Sequence, residues 1–344
     1  MSSHIRTGFF VLIGLMPVVI PNMGICAEGK PITLTYASHY SPPHPGSMVD
    51  LQWIEKIEKD TKGRIKIKPY WGATLITVRD SFKEVESGTC DIGYVVPGYV
   101  RAGFHIQKAA SKFYYGVPSM EVSRRIYKEV YSKFPEIRAE YANVKVLAVY
   151  SPACYALLTT KKPVRMWEDM KGMKLKATTS LHAALKGLGA APINMPMGES
   201  YMALEKGIIN GLLSPYETLK TFNFAEVVKY CTAINYYSSP YPGRAMNLDS
   251  WKRLPPDIQK VFEDSIDFWG SEMVKKYDGA DQDGIELGKK LGVEFIKLPL
   301  EELNKFYDLL KVNALKVAKD LDSKGLPGTA IFNEIRGLIE KYSK

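Results

Sequence analysis

Beyond an N-terminal leader, the residues best suited to nucleophilic or metal chemistry are His39, His44, His105 and His182, with Cys90, Cys154 and Cys231. Their spacing supports neither. No two histidines stand at the i, i+4 interval that puts two ligands on one helix face. The cysteines are odd in number and widely separated, so they define no disulfide framework and no metal knuckle. H-E-x-x-H, G-x-S-x-G, C-x-x-C and G-x-x-x-x-G-K-[ST] are all missing. Gly187-Leu188-Gly189 resembles part of a dinucleotide loop but closes a predicted helix, where a C-cap is the better reading. Cys154 with His39 or His182 is the one nucleophile and base the chain offers, and nothing in the sequence fixes their proximity. The expectation is a protein with no catalytic residues, no metal and no cofactor.

What the sequence offers instead is a set of tyrosines at the ends of predicted strands: Tyr40, Tyr70 followed by Trp71, Tyr94, Tyr155, Tyr216, Tyr236 and Tyr237. In open α/β sheets, ligands bind in the crevice beyond the carboxyl ends of strands. Aromatic rings with a polar tip suit a pocket that is apolar in bulk and fixes a few polar atoms. The ordinary alternative for each is a core tyrosine.

The elements that would position these residues alternate. Strand patterns at 32–37, 65–70 and 91–96 are interleaved with helical patterns carrying Val49, Trp53 and Ile57, and then Val78 to Glu86. A helix with Val122, Ile126, Val130 and Phe134 on one face precedes the apolar strand 144–150. Further strands at 155–160, 173–177 and 211–213 are separated by short helices at 181–188 and 199–206, each ended by glycine. This is α/β logic, stated twice. From Asp257 to about Leu291 there is no proline, and Ile258, Phe262, Ile266, Trp269, Met273 and Tyr277 step along one face. Such a helix would be about 50 Å long, more than one lobe needs. It reads as a spine along both lobes, with Gly270, Gly279, Gly284 and Gly288 as places for a kink or a break.

Arg6, the apolar run from Phe9 to Ile20 and the small residues up to Ala27 have the shape of a cleaved secretory leader, residues 1–27. Removing it leaves about 317 residues, enough for two cores. The formal charge of +9 becomes +8 when Arg6 leaves, and the remaining cations are scattered among acids, which argues against nucleic-acid binding. No later stretch reaches the roughly 20 apolar residues of a membrane span. A periplasmic monomer is expected.

Three blocks carry a family resemblance: K-P-V-R-M-W-E-D-M-K-G-M-K-L-K ending at Lys176, N-M-P-M-G-E-S-Y-M-A-L-E-K-G-I-I-N-G-L-L-S-P-Y-E ending at Glu217, and L-D-S-W-K-R-L-P-P-D-I-Q-K from Leu248. With T-K-G-R-I-K-I-K at Thr61, D-I-G-Y at Asp91 and F-A-E-V-V-K-Y at Phe224, the chain resembles the extracytoplasmic receptors of tripartite ATP-independent periplasmic (TRAP) transporters, the dicarboxylate-receptor type. The resemblance implies a two-lobed periplasmic binding protein of the hinged, Venus-flytrap kind, type II-like, braced by one long helix. The lobes would be 28–152 with 241–280, and 153–240 with 281–344. It implies a small organic acid as ligand and a two-component membrane permease as partner, with an input to a signalling system as the alternative.

Three positions depart from the family pattern. An arginine that grips a substrate carboxylate with its fork is replaced by Lys176, a second arginine by Tyr155, and an asparagine by Ser214. A positive charge remains, but the two-pronged geometry does not. The resemblance and the tyrosines together imply a monocarboxylate with an apolar or aromatic body. The candidate ligand-binding set is His39, Tyr40, Trp71, Tyr94, Tyr155, Lys176, Ser214, Tyr216, Glu217 and Tyr237. A bridging metal would enter only if Glu217 joined the pocket.

Overall fold

The computed structural model describes residues 30–343, so the leader lies outside the described residues. Eleven strands follow one another: β1 (Ile32–Ala37), β2 (Ile65–Tyr70), β3 (Ile92–Tyr94), β4 (Val144–Tyr150), β5 (Cys154–Thr159), β6 (Lys174–Lys176), β7 (Ala191–Ile193), β8 (Gly211–Pro215), β9 (Tyr230–Tyr237), β10 (Tyr241–Asn247) and β11 (Glu294–Lys297). They form two sheets, ordered β2-β1-β3-β10-β4 and β11-β9-β5-β8-β6-β7. In the first, β1 runs parallel to β2 and β3 while β10 is antiparallel to β3 and β4. In the second, β5 is antiparallel to both β8 and β9, and the outer pairs are parallel.

The chain passes between the sheets twice through short segments, 151–153 from β4 into β5 and 238–240 from β9 into β10. It passes a third time along the helix Ile266–Lys290, which packs on the helix Pro45–Asp60 and β4 of one lobe and on the helix Thr218–Thr221 of the other. At 1.5 Å per residue this helix is about 37 Å long. Two α/β lobes and a helix spanning both are the architecture expected from the sequence.

The long helix differs in one respect. The expected single element from Asp257 is two, Pro256–Asp264 and Ile266–Lys290, and the interruption falls at Ser265 rather than at any of the four glycines. Ser265 Oγ donates to Phe262 O at 2.6 Å and accepts the indole N–H of Trp53 at 2.7 Å. A serine that bonds back to its own helix bends it, and here a buried tryptophan holds the bend. Gly284 has a different use. A Cβ there would lie 2.2 Å from Tyr216 O, so glycine is what lets the helix touch the end of β8.

Packing is divided less simply than the chain. Ile106, Ile126 and Val130, from helices that precede the first crossing, and Phe113 from the loop between them share one core with Leu157, Leu175 and the C-terminal helical residues Phe306, Leu310 and Ile335. The first lobe's own core centres on Leu34, Trp53, Ile67, Leu147, Phe262 and Trp269.

Candidate functional site

A cleft of about 720 Å³ opens between the two sheets. Its walls come from the loops after β1, β2 and β3 in the first lobe and from the loops after β6 and β7 in the second. Antiparallel pairing adds the start of β5, because Tyr155 opposes both Pro215 and Tyr236 and so falls on the same sheet edge as two strand ends. Tyr241, at the start of β10, is brought to the end of β4 beside Tyr150 in the same way.

Lys176 is the last residue of β6 and is 1 % exposed. Among the described residues only one other Lys or Arg side chain is as fully buried, Arg244 at 0 %. The two are treated oppositely. Arg244 donates from Nε and Nη2 to the two oxygens of Asp50, each at 2.8 Å, and lies between the rings of Tyr94 and Trp269. Among the described residues Lys176 makes no ion pair, and its Nζ has a single hydrogen-bond contact, to the thioether sulfur of Met197 at 3.8 Å. Burial alone pushes its ammonium down to about 8. A desolvated cation without a counter-charge is unfavourable by several kcal/mol, roughly, unless something supplies that charge. Lys176 lines the cleft.

Around it the wall is aromatic. Tyr40 stacks on His44 with ring centroids 3.6 Å apart, His39 stacks on Tyr94 at 4.8 Å, and Tyr150 lies 5.2 Å from Tyr241. Burial holds the two histidines neutral, at about 3 in each case, with the Arg244 charge acting in the same direction. Neither histidine competes with Lys176 as a cation. His44 Nδ1 accepts from Gly46 N at 3.1 Å and caps the helix Pro45–Asp60, whereas His39 Nδ1 is buried without a partner. Burial also keeps the tyrosines Tyr40, Tyr150, Tyr155 and Tyr241 in their hydroxyl form. The mouth is bridged from lobe to lobe by the Tyr99 hydroxyl, which donates to Met195 O at 3.4 Å, and by Arg79 with Glu199 at 3.8 Å.

Of the ten candidate residues, four line the cleft: His39, Tyr40, Tyr155 and Lys176. The other six stand behind it. Tyr94 is fully buried beneath His39 and shares a hydroxyl contact of 3.1 Å with Tyr241. Trp71 packs edge-on against Tyr36, leaving Gly72 and Ala73 at the surface of the cleft. Ser214 donates to Thr218 Oγ1 at 2.9 Å and reaches the cleft only through Met197. Tyr216, Glu217 and Tyr237 are drawn toward the long helix. Gly284 closes on Tyr216, the Glu217 N–H bonds Asp281 at 2.8 Å, and Tyr237 feels Asp281 and Asp278. Burial pushes the Glu217 carboxyl up to about 8, and its oxygen accepts from the Thr221 hydroxyl. Among the described residues no group of three His, Cys, Asp or Glu could hold a metal.

Burial pushes the Cys154 thiol up to about 12, away from the thiolate form a nucleophile needs, and Cys154 does not line the cleft. Sequence reasoning missed His44, Tyr99, Tyr150, Phe222 and Tyr241, all on the wall. Tyr150 carried a signal, since it ends the strand pattern 144–150.

Two α/β lobes joined by three crossings, with an aromatic cleft between them and an unpaired cation in its wall, define a hinged solute-binding protein. The model of bacterial extracellular solute-binding proteins, family 7, matches residues 38–320, and the chain belongs to that family. A TRAP periplasmic solute-binding protein from Desulfovibrio salexigens, in an open form with the C-terminus of a symmetry mate in its ligand site, is 29 % identical. It superposes with a TM-score of 0.77 over 90 % of this chain and 96 % of that one. A TRAP solute-binding protein from Rhodoferax ferrireducens in complex with copurified benzoate is 22 % identical, with a TM-score of 0.82 over 91 % and 98 %. A monocarboxylate 2-oxoacid-binding periplasmic protein from Nostoc is 25 % identical over 294 residues, 80 % of this chain and 78 % of that one. The chain is a solute receptor of the TRAP kind, a binding protein and not an enzyme.

Proposed function

We propose that this receptor takes a monocarboxylate with an apolar or aromatic body, its carboxylate on Lys176 and its body between the rings of Tyr40, Tyr150, Tyr155 and Tyr241. The observation that carries the reading is the buried Lys176 ammonium without a carboxylate of its own. One ammonium neutralises one carboxylate. A second carboxylate desolvated in the same cleft would be left unpaired, which is costly. The benzoate held by the Rhodoferax ferrireducens protein and the 2-oxoacids of the Nostoc relative each bear one carboxylate, in keeping with this. The lobes, 28–152 with 241–280 against 153–240 with 281–344, close on the ligand about 151–153 and 238–240. The loaded receptor, exported by the leader 1–27 to the periplasm, hands its ligand as a monomer to a membrane permease driven by an ion gradient.

A thermal-shift screen on the mature protein tests the ligand class, because a ligand that binds only the folded state raises the midpoint by mass action. Benzoate should raise it more than phthalate, and phenylacetate more than a phenyl dicarboxylate of the same length. Larger shifts from the dicarboxylates would contradict the reading.

The depressed Lys176 ammonium also fixes a pH dependence. In the free receptor it is protonated below about 8, and a bound carboxylate raises that value by favouring the charged form. Binding therefore takes up a proton above pH 8, and Kd should rise about tenfold per pH unit there while staying flat from pH 6 to 7. Glu217 titrates in the same range behind the cleft, so calorimetry on Glu217→Gln should reproduce the wild-type profile. A flat profile from pH 7 to 10 in the wild type would rule out Lys176 as the anchor.

A further inference from the structure

A second groove, of about 420 Å³, runs beside β4 and shares no lining residue with the cleft. Its floor is apolar and aromatic, built from Val146 and Val149 of β4, Ile266 at the start of the long helix, and Tyr131. Its rim is cationic. Arg124, Lys128, Arg138 and Lys145 line it, and Asp267 is the one acidic residue that does so. Arg124 and Lys128 share Asp267, at 3.4 and 2.8 Å, and Lys145 turns to Glu263 at 2.5 Å. Arg138 donates from Nη1 to the Tyr131 carbonyl at 2.7 Å and to that of Ser132, and it makes no ion pair among the described residues. Gly270 keeps the groove open at the helix. A Cβ there would meet the Arg124 side chain at 2.9 Å, so the guanidinium lies flat against helix backbone.

An apolar floor under a cationic rim is the complement of an amphipathic anion. We propose that this groove is a second binding site, for a small organic anion carrying a sulfonate or carboxylate on an apolar body. Arg138 and Lys128 meet the charge, while Val146, Val149 and Ile266 meet the body. The site is separate from the transport cleft and needs no residue of it. Its walls come from β4, from residues within 124–142 and from the long helix, so an occupant touches one of the three crossings, the long helix.

The test is a fluorescence titration of the mature protein with 8-anilino-1-naphthalenesulfonate, alongside its uncharged counterpart N-phenyl-1-naphthylamine. Wild type and Lys176→Met should bind the sulfonate alike, whereas Lys128→Ser/Arg138→Ser should bind it at least tenfold more weakly with binding of the neutral probe unchanged. Should the double variant fold poorly, Ile266→Glu places a carboxylate in the groove at a helix N-terminus, where it is tolerated, and should give the same loss. Hydrogen exchange should show the sulfonate protecting amides in 266–270. Loss of the sulfonate in Lys176→Met places the probe in the cleft and overturns the proposal, as does equal binding in the charge variants or protection confined to other segments.

Discussion

Lys176→Met should lower affinity for the cognate acid by about thirtyfold or more, the roughly 2 kcal/mol lost when one partner of a buried charge pair is removed, while leaving the free receptor as stable as wild type or more so. The two signs follow from one cause. Among the described residues the buried ammonium has no counter-charge, only the Met197 sulfur at 3.8 Å. Replacing it with an apolar chain of similar length removes a desolvation penalty from the free protein. In the complex the same replacement leaves the carboxylate unpaired. Calorimetry for binding and denaturant unfolding for stability separate the two. A variant that binds as well as wild type would move the anchor to the rim cations Arg79 and Arg101. A variant that loses both binding and stability would make Lys176 a structural residue. Lys176→Arg is the sharper companion, since the fork needs two acceptors in a site shaped for a point charge.

The largest loss of stability is expected not at the ligand site but one layer below it, at Asp50. Its carboxylate accepts from Arg244 twice, from Trp269 Nε1 at 2.9 Å and from the Tyr36 hydroxyl. Asp50 and Arg244 are both fully buried, and they tie the helix Pro45–Asp60, β10, β1 and the long helix together. Asp50→Asn keeps the shape and some of the hydrogen bonds but leaves the guanidinium charge alone in the core. The cost is on the order of 3–5 kcal/mol, a large share of the 5–15 kcal/mol or so typical of a folded domain. Trp269→Phe, which deletes one hydrogen bond to the carboxylate and part of a buried ring, should cost less, about 2 kcal/mol. Chemical unfolding of the two variants checks the order, and equal midpoints would show that the ion pair contributes no more than the indole and its one hydrogen bond do. Arg244 also carries the Tyr94 ring on which His39 stacks, so Asp50→Asn should loosen the cleft floor and weaken binding as well.

Most of the fold was legible because its signals are local. The strand patterns at 32–37, 65–70 and 144–150 coincide with β1, β2 and β4, and the helix with Val122, Ile126 and Val130 runs from Met120 to Lys133. The site was only half legible, for a geometric reason. A strand-end rule finds the sheet edge, and it does place His39, Tyr40 and Tyr155 on the cleft. It does not say which part of that edge is already covered. The long helix covers the end of β8, so Tyr216 and Glu217 meet Gly284 and Asp281 and do not line the cleft, and that contact spans more than sixty residues of sequence. The bend at Ser265 has the same origin, since its partner Trp53 lies 212 residues away. Tyr241 escaped notice because it begins a strand, and only the antiparallel register of β10 on β4 brings it to the cleft.

The most direct measurement is a crystal structure of the mature receptor with the acid that gives the largest thermal shift. A carboxylate oxygen within hydrogen-bond distance of Lys176 Nζ, with the ligand body between Tyr40, Tyr155 and Tyr241, is the predicted result. A carboxylate held by Arg79 or Arg101 at the mouth, with Lys176 still facing Met197, would contradict it.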